Sequence, residues 1–304
     1  MTRSYREGIL MALVAVFCWS GSGSFAKLID AGGVSQLTVV CYRGLFVAAA
    51  AGLYLFWKNG WSAFHCSRRA LAACALLGVF VVVFNAVGYM MACTYLTVPQ
   101  VLMISYIFPI VTMAGSAFIN RERPTQLQFI SAFLILAGLY VGFMTDKAAG
   151  PVSFAGVAWV LLSVTGLAGQ SLLSRKLSQL NELGPLTQLF FAHLIGGLVI
   201  AAVKTFTTGW GDLSFVTPKI FLFMQYPAAV TALIGYGLLF AALSRIPAPL
   251  TSIICSMEIV FALILTPLYI HQVPSSSEIA GSMIIITAVV MSIASSNRKV
   301  RSAV

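Results

Sequence analysis

The sequence predicts an all-α membrane protein of ten transmembrane helices, arranged as two inverted five-helix repeats. Three observations predict it. The 304 residues are 60% hydrophobic and 9% charged, with a mean hydropathy of +0.96, whereas soluble domains run near a quarter charged. The apolar residues fall into ten segments close to the ~20 residues that cross the hydrocarbon as a helix. The segments of the first half return in the second at an offset near 150.

The ten segments are 8–28, 36–57, 70–92, 98–119, 126–144, 153–173, 185–204, 221–243, 249–270 and 278–296. Stretches such as "LGVFVVVF" and "GSMIIITAVVMSIA" do not alternate apolar with polar residues, which excludes an outer-membrane barrel pattern. The first segment is long and has no convincing A-x-A cleavage site, so it reads as a retained span.

Net charge is +10. In a soluble chain that would suggest nucleic acid, but here it reports orientation, and no nucleic-acid partner is expected. With the N-terminus in the cytoplasm, Arg3, Arg6, Lys58, Arg68, Arg69, Arg121, Arg123, Arg175, Lys176, Arg245, Arg298, Lys299 and Arg301 fall inside, 13 of the 18 cations. The outside loops hold Lys147, Lys204 and Lys219. That bias follows the positive-inside rule and puts both termini in the cytoplasm of an inner-membrane protein. The six cysteines show no framework spacing, and His65, His193 and His271 are scattered. Neither a metal site nor a cofactor motif is indicated.

Each span brings its own candidates. The first carries "WSGSGS": Gly21 and Gly23 permit close helix approach, and the serines can bond across helices. Trp19 offers a platform for apolar or cationic groups, with Ser22 beside it. Lys27 and Asp30 belong near the outer interface. In the second span Arg43 is an intramembrane charge that suits either a carboxylate ligand or helix packing. Asn85 and Tyr89, in the third, are an i,i+4 pair on one face, and Tyr106 lies in the fourth. The fifth carries no polar candidate. Trp159 and Gln170 stand in the sixth, His193 in the seventh, Tyr236 in the eighth. Glu258, in the ninth, is a lone acid in a long apolar run, which needs a partner, a proton or a wet cavity. Pro99 and Pro249 are placed to start their helices, and Pro109 and Pro267 to bend them.

Residues 99–124, "PQVLMISYIFPIVTMAGSAFINRERP", set against 249–274, "PLTSIICSMEIVFALILTPLYIHQVP", match Pro99 to Pro249, Ile104 to Ile254 and Pro124 to Pro274. The repeat divides the chain into 1–147 and 148–304. Five spans per half is an odd number, so the second half enters from the opposite side. Inverted repeats of this kind build secondary transporters with a site near the midplane.

The chain resembles the EamA family of the drug/metabolite transporter superfamily over nearly its whole length. "LVAVFCWSGSGSFAKLI" is similar to that family's opening helix, and "CYRGLFVAA" to its second. "AVGYMMACTYLTVPQVLMISYIFPIVTMAGSAFINRERPT" is similar to its third and fourth helices, with Glu122-Arg123-Pro124 as the Glu-x-Pro signature. "GLLFAALSRIPAPLTSIICSMEIVFALIL" is the second-half counterpart, where Gln272-Val273-Pro274 lacks the acid and Ile259 replaces the family's proline. The resemblance implies a ten-helix carrier of small metabolites, many relatives being exporters of amino acids or related compounds.

Three function classes compete. A transporter working by alternating access accounts for the repeat and for isolated charges inside spans. Its partners would be a small-molecule substrate, membrane lipid and protons, and it would work as a monomer or weak dimer. An importer or facilitator of amines is the alternative, since aromatic rings around an acid suit cations. An enzyme would need a catalytic constellation, and no such spacing is present. No G-x-x-x-x-G-K-[ST] occurs, so the chain does not use ATP. A purely structural subunit would not need Glu258.

Overall fold

The computed structural model describes residues 3–143, 152–181, 183–270 and 275–301. These are helical throughout, without a strand. Ten helices follow one another. Helix α1 is broken into Arg3–Trp19 and Ser22–Ala31, and α2 is Gln36–Asn59, closed by a short 3-10 turn at Gly60–Phe64. Next come α3, Arg68–Tyr95, and α4, broken into Val98–Ser105 and Phe108–Ile119. Helix α5 is Gln126–Phe143, α6 is Phe154–Gln179, and α7 is Pro185–Phe206 with a 3-10 turn at Gly211–Phe215. Last are α8, Pro218–Leu243, the broken α9, Ala248–Cys255 and Met257–Ile270, and α10, Ser276–Arg301.

The starts are written locally. Ser35, Ser67, Ser153 and Thr217 each accept a backbone N–H from the first turn of their helix, and Thr97 with Gln100 forms a reciprocal capping box. Prolines occupy the first turns of α4, α7, α8 and α9, where no intrahelical N–H is needed. Pro109, expected as an interior bend, sits in the first turn after the break in α4. In α9 the break at Ser256 persists although Ile259 stands where proline was expected.

The element order runs twice. The second helix of each half ends in a 3-10 turn, at Gly60–Phe64 and Gly211–Phe215. Each third helix carries a π-helical stretch, Val79–Val87 and Tyr226–Gly235, and each fourth is broken, at Tyr106 and at Ser256. Two pairs of corresponding helices, α2 with α7 and α5 with α10, pack along each other and run antiparallel. In the α2–α7 pair Ser35 meets Lys204, Gly44 meets Gly197, and Gly52 meets Phe190. Their crossing is close: a Cβ on Gly44 would lie 3.0 Å from the Gly197 Cα. In the α5–α10 pair Thr125 bonds Ser295 at 2.6 Å near one end, while Gly142 approaches Glu278 near the other.

Nine of these helices are long and apolar enough to cross a membrane. The fifth expected span is the short one, apolar over Gln126–Gly142. Large apolar side chains such as Leu53, Phe118, Phe133 and Leu222 face outward, as a lipid-exposed surface requires.

Lys204 is not the loop cation expected from the sequence. It lies in the last turn of α7, is 1% exposed, and pairs with Asp212 at 2.9 Å. Burial alone would raise the Asp212 carboxyl. Donors from Thr38, Lys204 and Ser35 outweigh it and hold the group well below the usual carboxylate range. The boundary at 147/148, Lys147, His271 and the Gln272-Val273-Pro274 loop lie outside the described residues.

Candidate functional site

A cavity opens where the two halves meet. Its lining comes from α1, α2, α3, α4, α6, α8 and α9. Eight of the eleven residues singled out from the sequence line it: Trp19, Ser22, Arg43, Asn85, Tyr89, Tyr106, Tyr236 and Glu258. The apolar wall is Ala86, Met90, Leu102, Phe108 and Leu167.

The irregular helix segments aim these side chains. Trp19 closes the first part of α1, where the helix breaks. A π stretch offsets the i→i+4 ladder and leaves carbonyls open to outside donors. The Thr231 carbonyl in α8 accepts the Trp19 indole N–H at 3.2 Å, while the Thr231 and Ser22 hydroxyls bond at 3.2 Å. In the other π stretch Asn85 is buried and fully engaged. Its amide nitrogen donates to the Tyr236 hydroxyl at 2.6 Å and to the Gln170 carbonyl oxygen at 3.3 Å, and its oxygen accepts from Ser163 at 3.0 Å.

The breaks in α4 and α9 meet each other. Tyr106 donates to the Glu258 carboxylate at 2.9 Å and shares its hydroxyl with the Cys255 carbonyl at 3.1 Å. Glu258 lies in the first turn after the break in α9, where helix N–H groups favour a negative charge. Among the described residues Tyr106 is the one hydrogen-bond donor it has.

Tyr236 is the hub of the opposite wall. Its ring stands 4.9 Å from that of Trp19 and 5.8 Å from that of His193, and the Arg43 guanidinium carbon is 5.6 Å from its centroid. Arg43 and Glu258 share the cavity without forming an ion pair; the ion pairs among the described residues are Arg3–Glu7, Arg175–Glu122 and Lys204–Asp212.

Three sequence candidates stand elsewhere. Gln170 is wholly buried one layer behind the lining, against Asn85. His193 is wholly buried, bonds the Leu189 carbonyl at 3.0 Å, and reaches the cavity only through Tyr236. Trp159 is partly buried on α6, away from the lining. Among the described residues no cluster of His, Cys, Asp and Glu could hold a metal ion.

The family model described as "EamA-like transporter family" matches residues 6–144 and again 154–294. The chain belongs to this family. The two matches fall on the two runs of elements described above. Among curated proteins, the chain is similar to the "Uncharacterized inner membrane transporter YhbE" of Escherichia coli K12. Identity is 27% over 281 residues, covering 86% of this chain and 80% of that protein. The Shigella flexneri protein of the same name matches equally. A solved structure described as "Crystal structure of protein" superposes with a TM-score of 0.75 at 14% identity, covering 96% of this chain and 98% of that one. At that identity the likeness speaks for the fold.

Sequence reading missed Ser105 and Thr231, two hydroxyl residues that with Cys255 complete the lining. Short hydroxyls in apolar helices usually bond their own backbone, so nothing in the sequence marked these two. The offset would have served better. Asn85 and Tyr236 stand 151 apart, as do Trp19 and Gln170, and Arg43 and His193 stand 150 apart. All six are joined around Tyr236 and Asn85.

Proposed function

We infer that the protein is a secondary transporter of the inner membrane, exporting amino acids or related small metabolites by alternating access. The observation that carries this reading is the cavity between the two repeats, with one carboxylate and one guanidinium held apart inside it. An amino acid has both an ammonium and a carboxylate to offer such a site. The eight lining candidates are its contacts, with Glu258 receiving the ammonium or carrying a proton.

The antiparallel packing of α2 on α7 and of α5 on α10 supports inverted topology for the repeats. We take α5 as the fifth of ten spans. Its 18 residues make about 27 Å of helix, against a hydrocarbon core of about 30 Å. Ten spans with the observed cation bias put both termini in the cytoplasm. Membership of a transporter family and the name of the E. coli relative support the membrane and the class. Export is the direction that the resemblance implies.

A second reading is favoured by the rings of Trp19, Tyr89, Tyr106 and Tyr236 around one acid. It is an importer or facilitator of amines.

Flux in proteoliposomes tests both. Amino acids, amines and neutral metabolites are offered to wild type and to Glu258→Gln, with and without a pH gradient. Saturable flux that a folded Glu258→Gln loses supports the reading, and dependence on the pH gradient adds proton coupling. Normal flux in Glu258→Gln would remove the acid from the mechanism. Flux of amines without amino acids would select the second reading.

A further inference from the structure

Glu258 has a donor in Tyr106, but the other charge in the cavity has no counterpart. Arg43 is 3% exposed, and its Nε and Nη2 have no hydrogen-bond partner among the described residues. Buried polar atoms are nearly always satisfied, and a buried cation left unpaired is strongly destabilising. Two unmatched N–H donors on one guanidinium ask for an acceptor with negative charge, and the guanidinium fork fits the two oxygens of a carboxylate.

Arg43 is also held in place from behind. The Tyr236 ring lies beneath its guanidinium, and Asn85 fixes that ring by its hydroxyl at 2.6 Å. Asn85 is in turn anchored by Ser163 and Gln170 on α6. Four helices, two from each half, therefore set the position of one cation.

We propose that Arg43 is the seat for a small monovalent anion, a carboxylate or a free inorganic ion, and that Asn85 and Tyr236 are the positioning residues that hold it. The purpose of the seat rests on the transport reading: a substrate carboxylate occupies it during transport. Its existence does not, so it is tested by binding.

The test is thermal unfolding of the purified full chain in detergent, titrated with sodium acetate, sodium chloride or neutral acetamide. The expected result is a saturable rise in Tm with acetate and none with acetamide. Arg43→Gln abolishes the rise. Arg43→Lys, which keeps the charge and loses the fork, weakens it. Asn85→Ala and Tyr236→Phe raise the half-saturating acetate concentration about tenfold, the equivalent of ~1.4 kcal/mol, while their Tm in acetamide stays flat. A rise with chloride alone also supports the seat and assigns it to an inorganic anion. The proposal is overturned if wild type does not respond to either anion, or responds as Arg43→Lys and Arg43→Gln do. Should Arg43→Gln fail to fold, Arg43→Lys and Tyr236→Phe decide. Unaltered titration in both Asn85→Ala and Tyr236→Phe overturns the positioning role. Flux is not read, so a failed transport reading leaves this result standing.

Discussion

Glu122, in the loop after α4, holds Arg175 of α6 at 2.6 Å and with its other oxygen accepts the Ala248 N–H at the start of α9 at 3.0 Å. Arg175 extends the link to the Leu243 carbonyl at the end of α8, 2.9 Å away. One carboxylate thus joins the first half to three helices of the second.

Breaking that link should loosen the fold. Both side chains are about one-sixth exposed, 16% and 15%, so the pair is neither fully solvated nor fully buried. Glu122→Gln should keep the bond to Ala248 and lose the ion pair, lowering stability by about 1–2 kcal/mol. Arg175→Ala should cost more, because the Leu243 carbonyl also loses its donor. Unfolding of the two single variants and the double variant checks this. Strictly additive losses would mean that the pair is not coupled.

At the cavity, Tyr106→Phe removes the one donor Glu258 has while keeping the ring. A hydrogen bond to a charged group contributes about 1.5–3 kcal/mol, so substrate affinity should fall roughly ten- to a hundredfold in the flux assay. Trp159→Phe, remote from the lining, is the matched control and should transport as wild type. Equal effects from the two substitutions would put the cavity in the wrong place.

The Lys204–Asp212 pair gives a pH signature. The Asp212 carboxyl is held below its ordinary value in the folded chain, so the folded form binds its proton later than the unfolded form does. The stabilisation is complete above the unfolded value, near pH 4, and is lost as pH falls through the lower folded value. Unfolding temperature followed downward from neutral pH should drop more steeply below about pH 4 in wild type than in Asp212→Asn. Parallel curves would exclude a contribution from Asp212.

The α2–α7 crossing admits no side chain at Gly44, whose Cβ would press on the Gly197 backbone. Gly44→Val should therefore destabilise by about 1–3 kcal/mol or more, read as a lower Tm. A neutral result would mean that the helices can part without penalty.

Much of the architecture was legible in the sequence because it depends on coarse quantities. Span length and the offset of 150 survive without any knowledge of rotation about a helix axis. The site depends on that rotation. Helices such as α5, α6 and α7 are apolar nearly all round, so no polar stripe tells which face turns inward. Trp159 and Gln170 share α6, yet the first lies away from the cavity and the second packs behind Asn85. The π stretches and the break at Ser256 were hidden as well. They are set by tertiary packing, and no proline stands at the break in α9 to announce it.

Because the two halves are joined in one chain, corresponding positions are free to differ. Phe108 stands where Glu258 does, 150 positions earlier, and both line the cavity. Two identical halves related by a twofold axis would have presented two acids there, repelling each other, or two phenylalanines and no charge. They would likewise have paired asparagine with asparagine, or tyrosine with tyrosine, where Asn85 now meets Tyr236. Fusion lets a symmetric frame enclose an electrically polar interior, and such an interior can tell the two ends of a small molecule apart.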